Sequence, residues 1–566
     1  MDFRFARAGL AALLLCPVGA VAASSDDRRY FYEDIFTPFF VLDARAGRYK
    51  TARPGADDKA GFFERKPAGG VRVFVLGGSI AARFMAGPHP LGESLKEVLP
   101  SREVEAVPAG MAGYDSAREA LVLEEVLERE PDAVVLLSCH NEALGSPPVP
   151  LWILHAGDRL ARLKSFAALV AALRPGGGGV PPDARLAAER REAAFESNLR
   201  AMMRRAREKG TAFVVAAPPL NYRAPSDLKP PTTNSLFWKG WLERLRGRDA
   251  VAVADWSALL DTIPSGAVDA GRAPLLGLMG ASAARAGDPR ASEFLVRGME
   301  EDWYAPGRCS LRSERAILKV AAEEGAVAVD LDGDFRRRAA PGVPGMDMFD
   351  DTVHWLRRDD PAVAAALVDA LRSAPRLAGL PWDAAGLKKM REGADRAAAG
   401  PIDESDTLNT LRYAFSGLRA RIAVTPTLHP ERFLSWRSAA YLEAVYDRRP
   451  EWFNDAPGLL RRAARGTAVA GRAWGQGTLK ADPGQVEWYR GETLLRRGDA
   501  PGALRALDAA LREDRNLEGA RLDRALALEL LGDRAGAREA LDPAAFTEAK
   551  AEAEALWRAL KGAPAQ

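Results

Sequence analysis

The sequence predicts an α/β protein: a parallel sheet covered by helices on both faces, followed by an all-helical segment. Three observations carry that reading. Short, nearly continuous apolar runs at 71–76, 104–107, 133–137, 212–216 and 327–331 alternate with amphipathic stretches such as 116–130 and 184–208. Such alternation belongs to strands buried on both faces and joined by crossover helices, giving a three-layer domain. After about residue 374 the strand pattern stops and helical periodicity continues. Within that part, Gly491, Gly498-Asp499, Ala503 and Ala510 return 34 residues later as Ala525, Gly532-Asp533, Ala537 and Ala544.

The period, the small residues where paired helices touch and the Gly-Asp turn resemble a tetratricopeptide repeat. Gly280 and Gly287-Asp288 show the same spacing once more, inside a helical stretch from about 234 to 303 that interrupts the α/β alternation. A second interruption, at 151–173, reads as a helix and runs into Pro175-Gly176-Gly177-Gly178-Gly179, a flexible breaker. Both interruptions follow the carboxyl end of a predicted strand. Ligands bind at that edge in open α/β sheets, so both are expected to shape a substrate cleft.

A chain of 566 residues is too long for one core and implies two or three domains. Residues 1–23 read as a signal peptide: Arg4 and Arg7 precede an apolar stretch, and Ala20-Val21-Ala22 offers the small residues of a cleavage site. The stretch contains Pro17 and Gly19 and falls short of a spanning helix. Cys16 follows the large Leu15, a poor fit to a lipidation site. The expected organisation is therefore an exported, periplasmic or secreted protein with an α/β domain over 24–376, helical insertions at about 150–184 and 234–303, and a helical repeat domain over 377–566. The balance of 79 basic against 77 acidic side chains gives a net charge of +2 and no electrostatic case for nucleic acid. Beyond the signal, Cys139 and Cys309 are the remaining cysteines. Whether they pair is not legible, and Cys139, at a strand end, reads as a buried, inert thiol.

Ser79 follows an apolar strand and two glycines and precedes Ile80-Ala81-Ala82-Arg83-Phe84, which places it at a tight strand-to-helix turn. There a serine can attack a carbonyl while backbone N–H groups hold the oxyanion, or simply cap the helix. Asp351-Thr352-Val353-His354 lets one local turn set a carboxylate against one imidazole nitrogen and leave the other free as a base. Asp350 is an adjacent rival for the carboxylate. Asn141, just past the third predicted strand, can donate a side-chain N–H to an oxyanion, and Gly113 a backbone N–H; turn chemistry is the ordinary use of both residue types.

In order, these segments resemble the SGNH (GDSL-type) hydrolase superfamily, with Ser79 in its first block, Gly113 in its second, Asn141 in its third, and Asp351 with His354 in its last. The resemblance implies a flavodoxin-like sheet, Ser79 as nucleophile, Gly113 and Asn141 as oxyanion donors, and Asp351 and His354 as orienting acid and base. Cys139-His140-Asn141-Glu142, Phe195-Glu196-Ser197-Asn198-Leu199-Arg200 and Pro219-Leu220-Asn221-Tyr222-Arg223 further resemble a bacterial subgroup that couples this domain to tetratricopeptide repeats. The chain departs from the family pattern at Gly78, where the motif has Asp, at Cys139, where the third block has Gly, and at Trp355, where Pro is common.

Dinucleotide and phosphate-loop glycine fingerprints are absent after Leu76, and the Pro-Cys-x-x-Cys that would complete a zinc deaminase around His140 and Glu142 is missing. No cofactor or metal is expected. Arg308 and Arg312, one turn apart, read as a solvated face rather than an anion site. The expected function is an acyl ester hydrolase acting on an acylated or acetylated envelope or extracellular glycan or lipid. The same site would serve an O-acyltransferase if a sugar hydroxyl replaced water. The other class of reading is a non-catalytic scaffold whose repeats bind a protein partner.

Overall fold

The computed structural model describes residues 38–52, 61–87, 89–142, 184–224, 226, 230–265, 271–303, 308–339, 343–420, 430–474, 483–547 and 549–561. The expected signal peptide, the helix at 151–173 and its glycine breaker lie outside these residues.

Three short strands, β1 (Phe40–Asp43), β2 (Arg48–Thr51) and β3 (Phe62–Phe63), form an antiparallel sheet. The main sheet contains β4 (Val71–Gly77), β5 (Val104–Gly110), β6 (Ala133–Leu137), β7 (Ala212–Ala217) and β8 (Val327–Asp330), parallel throughout, in the order β5-β4-β6-β7-β8. That order places a topological switch point at β4, whose neighbours on either side follow it in the chain. Gly77 pairs with both Gly110 and Leu137, so the carboxyl ends of β5, β4 and β6 stop level with one another.

Side chains alternate between two apolar layers. Phe74, Leu76, Val134 and Leu136 face one core with α3 (Ser116–Leu127), α4 (Ala184–Glu208) and α9 (Leu311–Glu324). Val73, Val75, Val135 and Leu137 face the other, with α1 (Ser79–Phe84), α2 (Pro90–Val98), α11 (Asp360–Ser373) and α12 (Ala384–Ala398). Each such side chain stabilises the fold by about 1.5–3 kcal/mol on transfer from water, the reason strands without polar residues must be covered twice. A short α10 (Leu331–Arg338) follows β8 directly. The antiparallel sheet adds to the first layer: the Phe40 and Phe62 rings meet Phe74 edge-on at 5.8 and 5.2 Å.

The helical stretch at 234–303 forms α5 (Ser235–Leu245), α6 (Asp249–Thr262), α7 (Arg272–Arg285) and α8 (Ala291–Glu301). The C-terminal part continues as α13 (Glu404–Ala420), α14 (Pro430–Arg448), α15 (Ala456–Trp474), α16 (Pro483–Arg496), α17 (Ala500–Glu513), α18 (Glu518–Leu530), α19 (Arg534–Ala540) and α20 (Lys550–Lys561). These two parts of the chain share one core: Trp238, Trp256 and Met279 of the interruption are buried with Trp488, Leu507 and Leu556. The turns at the predicted repeat are alike. Gly498 and Gly532 take φ of 82° and 83°, and the following Asp499 and Asp533 each accept a hydrogen bond of 2.8 Å from the N–H three residues on. Among the described residues, no helix is long and apolar enough to cross a membrane.

Candidate functional site

Ser79 stands at the first position of α1, directly beyond β4 at the switch point, and its cap residue is Gly78 rather than the serine itself. The Ser79 hydroxyl instead meets His354, with Oγ 2.9 Å from Nε2. His354 Nδ1 lies 2.6 Å from Asp351 Oδ2. The other carboxylate oxygen, Oδ1, accepts from the backbone N–H groups of Val353 and His354 at 2.7 and 2.6 Å, so the turn that brings acid to base also fixes the acid. Burial would raise the Asp351 carboxyl, but the His354 imidazole and these two amides outweigh it and hold it below the usual carboxylate range. Asn221, four residues beyond β7, donates to the Asp351 carbonyl at 2.8 Å.

Asp350 points away from this chain. Its Oδ2 receives Arg83 at 2.7 Å and Asn409 at 2.8 Å, and the residue is fully buried. Among the described residues, Asp350, Asp351 and His354 are the group whose geometry would allow a metal; His354 Nδ1 meets Asp351 Oδ2, and Asp350 Oδ2 meets Arg83 and Asn409. Trp355, in place of the usual Pro, donates from Nε1 to Asp360 at 2.7 Å and packs its indole edge-on against Phe84 and Phe335, tying the histidine loop to α11 and α1.

The loops after β5 and β6 close over the serine turn. Gly113 has φ of 78° in the bend that leads to Asp115, the cap of α3. Asn141 is buried and donates from Nδ2 to the Tyr114 carbonyl at 2.8 Å. The same nitrogen lies 2.2 Å from where a Cβ on Gly78 would be, which sets this amide beside the Ser79 turn. Asp in place of Gly78 would collide with this amide.

Cys139 is not a free thiol: it is joined to Cys309 in a disulfide spanning 170 residues. The expectation of an inert thiol fails because β6 ends beside the segment that enters α9, a proximity invisible at that sequence separation. Cys139 has φ of 130°, a conformation glycine adopts freely and other residues rarely do. Next to it, the Cys309 N–H donates to His140 Nδ1 at 3.1 Å. Burial first, then the neighbouring His354, pushes the His140 imidazole down to about 3, so it is neutral. Glu142 accepts from both the N–H and the hydroxyl of Ser116 at 2.8 and 2.9 Å, and Asn198 of α4 donates to the same hydroxyl at 3.0 Å. Burial, and then Asp115, pushes the Glu142 carboxyl up to about 8.

Arg308 and Arg312 do not form a solvated face. Arg308 is ion-paired with the fully buried Asp302 carboxylate, and Arg312 pairs with Glu192 at 3.0 Å and lies 3.7 Å over the Trp303 ring. Charge alone gave no signal of these partners, which come from other elements. Sequence reasoning also missed Arg83, Asp406, Asn409 and Tyr413. The last three lie three to four residues apart on α13, a spacing that marks one helix face but not what the face touches.

No protein-family model matches the chain, and no curated protein matches it. Solved structures with a likeness include the acetylxylan esterase Axe2 from Geobacillus stearothermophilus, at 12% identity over 53% of this chain and 95% of that one, with a TM-score of 0.28. LAE5, an alpha/beta hydrolase from the metagenome of Lake Arreo, Spain, is 13% identical over 53% and 94%, with a TM-score of 0.27. TesA is 16% identical over 53% and 98%, with a TM-score of 0.23. Likeness at this level carries no argument about activity.

Proposed function

We propose that this protein is a serine hydrolase of ester bonds, with Ser79 as nucleophile, His354 as general base and acid, and Asp351 as the carboxylate that orients it. The observation that carries the reading is the unbroken hydrogen-bonded relay from Ser79 Oγ through His354 to Asp351, at 2.9 and 2.6 Å, on a sheet's switch point. In this mechanism Ser79 Oγ attacks the ester carbonyl carbon as its proton passes to His354 Nε2. The oxyanion is received by the Ser79 and Gly113 N–H groups and the Asn141 amide. Collapse expels the alcohol, which takes the proton from His354. Water then attacks the acyl-enzyme with the same histidine as base and releases the carboxylic acid and Ser79.

The substrate class we propose is an acylated or acetylated envelope or extracellular glycan or lipid. Export is supported by the disulfide, since such bonds persist in oxidising compartments. The alike turns at 498 and 532 support a tetratricopeptide kinship for the C-terminal hairpins. A fluorophosphonate probe should label the wild-type protein and not Ser79→Ala, and the wild type should cleave small acetyl esters. A wild-type protein that neither takes the probe nor cleaves them would sink the reading and favour a scaffold.

A further inference from the structure

We propose that Tyr413 is a positioning residue for the His354–Asp351 pair, so that α13 of the C-terminal helical part completes the site built on the sheet. The inference rests on the hydrolase reading above and adds a residue from outside the α/β layers.

Helix α13 has two buried faces. Leu408, Leu411, Ala414 and Phe415 enter the helical core. Asp406, Asn409, Thr410 and Tyr413, at helical spacing on the other side, meet the loop that carries the acid and base. Asp406 accepts from the Arg357 N–H and from Arg83, each at 3.1 Å. Asn409 donates to Asp350 at 2.8 Å. Thr410 accepts from Arg448 at 3.0 Å, and Arg448 in turn donates to the Phe349 carbonyl at 3.0 Å. Loop residues 349, 350 and 357, flanking the pair on both sides, are thus bound to one helix or to its α14 neighbour.

Tyr413 completes the row. Its ring lies against the His354 imidazole with centroids 6.3 Å apart and planes 23° from parallel, and the Arg412 guanidinium covers the ring at 4.3 Å. Offset stacking of this kind resists rotation of the imidazole about its side-chain bonds. The Tyr413 hydroxyl donates to the Asp351 carboxylate, and burial, then that carboxylate, pushes the phenol up, so it remains a donor. The hydroxyl shares the charge that Asp351 presents to His354 Nδ1. The ring holds the orientation that leaves Nε2 facing Ser79, while the Asp351 carboxylate at Nδ1 sets the tautomer. Nothing in this arrangement requires contact with substrate.

Two variants separate hydroxyl from ring. Tyr413→Phe keeps the stack and loses the hydrogen bond, and kcat for a small acetyl ester should fall about tenfold with KM unchanged. Tyr413→Leu loses both, and kcat should fall about a hundredfold, with Phe restoring part of it. A readout independent of turnover is the downfield proton resonance of the His354 Nδ1–H bonded to Asp351, followed with labelled histidine. It should move in Tyr413→Phe and broaden or vanish in Tyr413→Leu, while circular dichroism stays native. A resonance unchanged in both variants overturns the proposal, and so does wild-type kcat in both. If the resonance responds but wild-type Ser79 takes no fluorophosphonate, the hydrolase reading falls and the positioning role stands.

Discussion

Gly78 and Asn141 occupy adjoining space with no room for a methyl group: the Asn141 amide nitrogen lies 2.2 Å from the Cβ position of residue 78. Contacts that short do not survive, and the neighbour is a buried amide already bonded to the Tyr114 carbonyl, so one of the two must move. Gly78→Ala is therefore expected to displace Asn141. In the proposed mechanism this displacement removes one oxyanion donor, a loss on the order of 10²–10³ in kcat. Steady-state kinetics on an acetyl ester, with thermal unfolding alongside, should show kcat reduced at least about a hundredfold and the fold intact. An unchanged kcat would mean that Asn141 takes no part in the chemistry.

The two adjacent carboxylates have separable jobs. Asp351→Asn should cost on the order of 10⁴ in kcat, because an amide at that place favours the wrong imidazole tautomer. Asp350→Asn instead leaves the Arg83 guanidinium with a weakened buried partner and should destabilise the protein by about 3 kcal/mol, with kcat within about tenfold of wild type. Kinetics and denaturant unfolding of the two variants should show opposite profiles.

Cys139 holds a backbone conformation that costs a non-glycine residue about 1–3 kcal/mol, and the link to Cys309 opposes its relaxation. Cys309→Ser should lower the unfolding free energy by about 2–5 kcal/mol and reduce kcat, since Asn141 is two residues away. Adding Cys139→Gly to that variant should return part of the kcat, because glycine accepts the same φ without the cross-link. A double variant no better than the single one would show that strain at 139 is irrelevant to the site.

Glu142 contributes to the pH dependence of stability. Its folded value is raised from 4.5 to about 8, so the folded state binds the proton more tightly than the unfolded chain. That stabilisation is complete below about pH 4.5, declines as pH rises, and is gone above about pH 8. Glu142→Gln removes the dependence. Melting temperatures from pH 5 to pH 9 should fall less steeply for the variant, which should be the more stable of the two at pH 9.

Legibility in the sequence follows how local the cause of each feature is. The main strands are readable because a strand covered on both faces can carry almost no polar residue, and α4 because a 25-residue helix repeats its apolar stripe many times. The strands β1 to β3 leave no such mark: at two to four residues they are too short for a period. At the candidate site, Asp351 and His354 are three residues apart, so their pairing is a matter of one turn. That Arg308 meets Asp302 and Arg312 meets Glu192 depends on packing, and Cys139 meets Cys309 across 170 residues. The polar side of α13 misleads for the opposite reason: Asp406, Asn409 and Tyr413 have the composition of a wet surface and are covered by a loop from the other layer.

Because α5 to α8 are buried against helices that come some two hundred residues later, the nascent chain makes half of that core long before its other half. Ser79 belongs to the early-made part of the chain, whereas α13, whose Tyr413 ring lies against His354, belongs to the late-made part.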